Sequence, residues 1–185
     1  MAGIKYLKDV YEQKGAEEAK KYLEGNVTIT EKLDAYRFSF QLNENKEILF
    51  FKKNDNTSLT IIDRTISDLY EKAIQHIENL PSMVINNLPK DLRFGFSYFP
   101  TNKPLRIKYD KLKPNNNLVL TDISIRNHKG KVKKVYEDIG FINRWADVLN
   151  VSEPPILFKG KLPQEKLDML ISITEGSQKT QAFFA

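Results

Sequence analysis

The stretch TITEKLDAYRFSF, residues 28–40, sets the reading of the chain. From Tyr36 onward it alternates strictly. Tyr36, Phe38, Phe40 and Leu42 fall on one side, and Arg37, Ser39 and Gln41 on the other. A period of two predicts a strand with one buried face. Ahead of that strand stand Lys32 and Asp34, so three charged side chains gather at its entrance. A lysine amine is nucleophilic only when neutral, and its ordinary pKa of about 10.4 keeps it charged unless its surroundings intervene. Converging cations such as Arg37, Lys52 or a bound divalent metal would disfavour the ammonium form, and Asp34 could orient the amine or a ribose hydroxyl. Taken alone, these residues read first as solvated charges at a strand entrance.

Upstream, residues 4–24 carry a helical pattern: Tyr6, Leu7, Val10 and Tyr11 share a face, Gly15 interrupts it, and Ala16, Ala19, Tyr22 and Leu23 resume it before Gly25-Asn26 ends it. Val27–Ile29 reads as a short strand. Downstream, Asn43-Glu44-Asn45 marks a turn. Ile48–Phe51 is apolar on both faces, which suits an interior strand. Thr65-x-x-Asp68 resembles a capping box ahead of a helical stripe of Leu69, Ala73, Ile77 and Leu80, which Pro81 stops. His76 lies off that stripe and is expected at the surface.

Leu92–Phe99 reads as a strand whose central Gly95 signals a bulge or a close backbone approach. A short strand is expected at Leu105–Tyr109, another at Leu118–Ile125, and a turn at His128-Lys129-Gly130. Val132, Val135, Tyr136, Ile139, Ile142 and Leu149 predict one long helix containing Gly140. Ile156-Leu157-Phe158 predicts a short buried strand, and Leu167, Leu170 and Ile171 a last helix after Pro163. Strands and helices lack βαβ regularity, so the fold class expected is α+β, an antiparallel sheet with flanking helices.

Composition narrows the chemistry. The 185 residues suffice for one substantial domain. With no cysteine there is no disulfide, thiol nucleophile or thiolate zinc site, and two histidines are too few for a histidine metal cluster. No apolar run reaches membrane-spanning length, and the first residues lack a signal peptide's apolar core, so a cytoplasmic protein with no membrane partner is expected. A net charge of +5 favours polyanionic partners. The glycine-rich phosphate loops, His-Glu-x-x-His and Gly-x-Ser-x-Gly are all absent from the sequence.

Glu31-Lys32-Leu33-Asp34-Ala35-Tyr36-Arg37-Phe38 resembles the first motif, Lys-x-Asp-Gly-x-Arg, of the ATP-dependent DNA and RNA ligases and mRNA capping enzymes, the covalent nucleotidyltransferases. Later segments follow in the family's order. Phe51-Lys52-Lys53-Asn54 is similar to its basic second-strand end, and Arg93–Phe99 to its third motif. Leu118–Ile123 is similar to a strand ending in Asp-Ile, and Pro155–Gly160 to the strand before the fourth motif, whose Glu-Gly opening matches Glu175-Gly176. The resemblance covers about residues 26–176 and is nearest to the RNA-ligase-like members.

It implies a nucleotidyltransferase (adenylation) domain over 26–185 behind a helical segment at 1–25, with nucleotide between sheets. Lys32 would attack the α-phosphate of ATP to form lysine–AMP for sealing RNA or DNA ends. Glu31, Asp34, Arg37, Lys52, Lys53 and Ser97 would line the nucleotide site, Glu175 would be a metal-linked acid, and ATP and Mg²⁺ would be required. The chain departs from the pattern at Ala35, where the family has glycine, at Phe96-Ser97, where it has glutamate, and after Gly176. The fifth motif and a C-terminal nucleic-acid-binding domain are lacking from it. A partner chain or a further C-terminal segment would complete such a site. The alternative is a catalytically impaired member that binds nucleotide or nucleic acid.

Overall fold

In the computed structural model, residues 7–53, 59–63, 68–101, 105, 113–126, 132–136 and 138–169 are described. In chain order they form α1 (Leu7–Lys14), α2 (Ala16–Leu23), β1 (Asn26–Thr30), β2 (Tyr36–Leu42), β3 (Ile48–Lys53), β4 (Leu59–Ile61), α3 (Glu71–Glu78) and α4 (Ser82–Asn87). There follow β5 (Leu92–Tyr98), β6 (Leu118–Arg126), β7 (Val132–Tyr136), α5 (Ile139–Val148) and β8 (Ile156–Lys161). Residues 164–169 are also helical. The class is α+β with antiparallel sheets. No described helix is long and apolar enough to cross a membrane.

The chain divides into two compact units. One contains Leu33–Glu153, and the other the described residues up to Lys32 together with those from Pro154 onward. The larger unit is built on a six-stranded sheet in the order β4-β3-β2-β5-β6-β7, with every neighbour antiparallel. The alternation expected of β2 decides its two faces. Phe38 and Phe40 are fully buried, and Phe94 and Phe96 stand opposite Phe40 and Phe38 on β5. This aromatic face packs against Tyr70, Ala73, Ile74 and Ile77 around α3, and against Ile142, Ala146 and Leu149 around α5. Phe40 stacks on Phe94 at 5.0 Å and Trp145 meets the Phe94 edge at 5.0 Å. Stacked and edge-on rings of this kind add stabilisation beyond the area they bury.

In the smaller unit, α1 and α2 meet through Val10 and Ala19. Gly15 sits between them at φ 83°, a conformation that suits glycine. β1 and β8 pair antiparallel as a two-stranded sheet.

Four expectations need correction. The long helix over 132–149 is a strand followed by a helix. Val132–Tyr136 pairs with β6, and α5 begins only after Asp138, whose carboxylate accepts from Gly140 N at 2.8 Å. Valines at 132 and 135 with Tyr136 and Ile139 mimic a helical stripe, but β-branched and aromatic residues also suit a pleated edge, and the Asp138 cap fixes the helix start. β8 is not buried, since Ile156 and Leu157 are exposed and its partner is β1 alone among the described residues. α3 starts after Tyr70 with no side-chain cap, while Thr65 lies outside the described residues. His76 is half-buried, with Nε2 2.9 Å from the Leu149 carbonyl at the end of α5. Pro81 does end α3, but α4 follows it directly. The strand expected at Leu105–Tyr109 and the turn at His128 fall outside the described residues, apart from Leu105.

Two consequences are measurable. Phe40→Ala deletes a fully buried ring and is expected to cost about 3–5 kcal/mol in urea unfolding. Burial, reinforced by Tyr36 and Tyr98, pushes the Tyr70 phenol up to about 12. The neutral form is thus favoured in the folded state. Stability from this group is complete below the unfolded value near 10 and is lost as pH rises toward 12, by roughly 2–3 kcal/mol. Tyr70→Phe is expected to remove that part of the alkaline loss when unfolding is followed from pH 9 to 12.

Candidate anion-binding face

The other face of β2, β5 and β6 is polar. It carries Arg37, Ser39 and Gln41 on β2, and Arg93, Gly95 and Ser97 on β5. Asp122 and Ser124 on β6 stand opposite Gly95 and Arg93. A bulge places Asp122 there. The register shifts between Gly95 and Phe96, so that Gly95 faces Asp122 while Phe96 faces Leu120, and Thr121 is the extra residue. One inserted residue reverses the parity of a strand. Leu118 and Leu120 point into the core before the bulge, and Ile123 after it.

Arg37 reaches across β5 to pair with Asp122, and its Nη1 donates to Thr121 Oγ1 at 2.7 Å. The Thr121 hydroxyl has one proton to give, with the Gly95 carbonyl at 3.0 Å and the Asp122 carboxylate at 3.1 Å. The pair passes directly over Gly95. A Cβ there would lie 2.7 Å from both Asp122 oxygens and collide with Arg37 Nη2. Glycine at 95 therefore answers to both features expected of it, a bulge and a close approach.

Arg93 is buried at 7% exposure. Its Nε donates to Gln41 Oε1 at 3.2 Å, and its guanidinium stacks 3.9 Å from the Phe51 ring centroid. Both contacts are neutral or nearly so. Burial, with Arg126 and Arg37 nearby and Asp122 as a partial offset, lowers its pKa to about 10. Burial likewise lowers that of Arg126, which also sits within the fields of Asp122 and Arg37. Arg37, Arg93 and Arg126 thus crowd around Asp122. Three guanidiniums around one carboxylate leave this face with an excess of positive charge.

The residues singled out in the sequence distribute unevenly. Arg37 and Ser97 are cross-strand neighbours on this face. Asp34 is half-buried in the connection entering β2. Lys52 stands opposite Phe38, hence on the aromatic side of the sheet, and is half-buried; Lys53 is exposed at the end of β3. Glu31 and Lys32 belong to the smaller unit, where Glu31 N donates to the Pro155 carbonyl at 3.0 Å and Lys32 is exposed. Glu175 lies outside the described residues. Arg93, Arg126 and Thr121 were not anticipated as site residues, and Asp122 was noted only as part of a strand end. The parity switch in Leu118-Val119-Leu120-Thr121-Asp122-Ile123 was the available signal for the bulge.

Neither a scan against protein-family models nor a search of curated proteins finds a match to this chain.

Gly95→Ala is expected to displace the Arg37–Asp122 pair and to destabilise by about 2–3 kcal/mol in urea unfolding. In a double-mutant cycle, Arg37→Gln and Asp122→Asn are expected to couple by about 1–3 kcal/mol.

Proposed function

We propose that this chain is a ligase-type nucleotidyltransferase domain that adenylylates Lys32. The observation carrying this reading is the convergence of its motif-like segments. Arg37, Gly95-Ser97 and Thr121-Asp122 are separated by up to 85 residues yet meet on adjacent strands, as segments of one site should. Lys32 precedes β2 by four residues. The proposed step is attack of the neutral Lys32 amine on the α-phosphate of ATP. A nitrogen–phosphorus bond forms, the bond to the bridging oxygen breaks, pyrophosphate leaves, and the amine proton passes to solvent. Preorganised cations would act by offsetting charge on the phosphates. Bound Mg²⁺ would offset further charge on the phosphates. Asp122, the carboxylate facing Gly95, is turned onto Arg37 and Thr121, and no group of three or more metal-binding side chains occurs among the described residues.

A second reading is favoured by one feature. Arg37 is engaged by Asp122, and Ser97 offers a hydroxyl where the resembled motif has a carboxylate. On this reading the chain holds nucleotide or a nucleic-acid end without turnover.

Incubation with α-labelled ATP and Mg²⁺, followed by a denaturing gel, separates the two. Adenylylation predicts acid-labile label that Lys32→Ala abolishes and that Arg37→Gln slows by about 10²-fold. Absence of label at high protein concentration, with nucleic-acid binding that weakens steeply with salt, would leave the binding module.

A further inference from the structure

We propose that the polar face of the sheet also contains a noncovalent phosphate site, centred on Arg93 and completed by Arg126, Ser39 and Ser124. Its occupant is a phosphate group, either the free ion or the phosphoryl group of a monoester. The inference uses residues outside the Lys32 motif and stands whether or not Lys32 is adenylylated.

Arg93 provides the first argument. A guanidinium this deeply buried is ordinarily matched by a carboxylate, because an uncompensated charge is strongly unfavourable away from water. Here the contacts among the described residues are an amide oxygen and an aromatic ring. Asp122 does not fill that role, since it is taken up by Arg37 and Thr121.

The serines provide the second, independent argument. Ser124 stands directly opposite Arg93 and is 2% exposed, while Ser39 is opposite Gly95 and fully buried. Among the described residues, neither hydroxyl has a hydrogen-bond partner. Buried hydroxyls are seldom left unmatched. Both lie on the face that carries Arg93, each with a proton to donate. Two cations and two hydroxyl donors suit a tetrahedral dianion, whose several oxygens accept from a planar guanidinium in pairs. A carboxylate brings one charge and two oxygens, and matches this set less well.

The test uses the full chain without ATP. Thermal unfolding and calorimetric titration are run with inorganic phosphate, with glycerol phosphate, and with acetate and chloride at matched ionic strength. Phosphate is expected to raise the Tm in a saturable way that acetate and chloride do not reproduce. Arg93→Gln is expected to abolish the response, and Ser39→Ala and Ser124→Ala each to weaken affinity by about tenfold. The serine variants remove a buried unmatched hydroxyl, so without phosphate they should be as stable as the parent or more so, which keeps the test open if Arg93→Gln fails to fold. Tighter binding of glycerol phosphate assigns the site to a phosphomonoester, and tighter binding of inorganic phosphate to the free ion. A phosphate response no larger than that of chloride, or one unchanged in both serine variants, would overturn the proposal. Lys32→Ala should retain the response, so a failure of labelling at Lys32 and a failure of this site are read separately.

Discussion

The ion pair between Arg37 and Asp122 exists because position 95 has no side chain. β5 runs between the strands that carry the two partners, and any Cβ at its midpoint would occupy the space where the charges meet. Around this crossing the polar face is arranged. Thr121, displaced by the bulge, adds a hydroxyl to the pair, and Ser97 sits beside Arg37. Without Asp122 the three arginines would repel each other on a surface with little access to water, and a low local dielectric enlarges that repulsion. The pair is therefore less a source of net stability than a condition for keeping the other cations in place.

The two faces of the sheet divide its labour. Aromatic residues of β2 and β5 bury against α3 and α5 and hold the strands rigid. That rigidity fixes the positions of the polar side chains on the reverse side, since alternate residues of one strand are tied to one backbone. Side chains on strands are held more closely than those on loops, and here the backing is a packed aromatic layer.

Much of this was legible in the sequence. β2, β3, β5 and β6 follow from alternation or from doubly apolar runs, and Gly95 announced itself as a glycine inside a strand. The errors have physical causes. Val132, Val135 and Tyr136 satisfy both periods over so short a length, and only pairing with β6 decides between them. Ile156 and Leu157 are apolar but lie in a two-stranded sheet with too little around it to bury them. The candidate site was half visible. Arg37 and Ser97 were named from the sequence and fall together on this face, whereas Arg93 and Arg126 gain meaning only from burial and mutual proximity, which depend on contacts remote in sequence. The assignment of Lys52 to a face likewise required the register with Phe38.

The strand order has a bearing on how the fold is assembled. β2, β3 and β4 form one run of antiparallel neighbours close in sequence, and β5, β6 and β7 form another. The β2–β5 seam that joins them links residues from 52 apart (Gln41 and Arg93) to 62 apart (Tyr36 and Tyr98). Local pairing closes shorter loops and is favoured early, so each half can form before the seam zips. Arg37 belongs to the first half, while Arg93, Asp122 and Arg126 belong to the second. Cations on opposing halves are thus brought together in the seam-forming step, with Asp122 as the counter-charge that steers Arg37 into register. Refolding should for that reason carry an ionic-strength dependence in the step that closes the seam, and an anion held there by Arg93 and Ser124 of the second half and Ser39 of the first would act as a folding aid as well as a ligand.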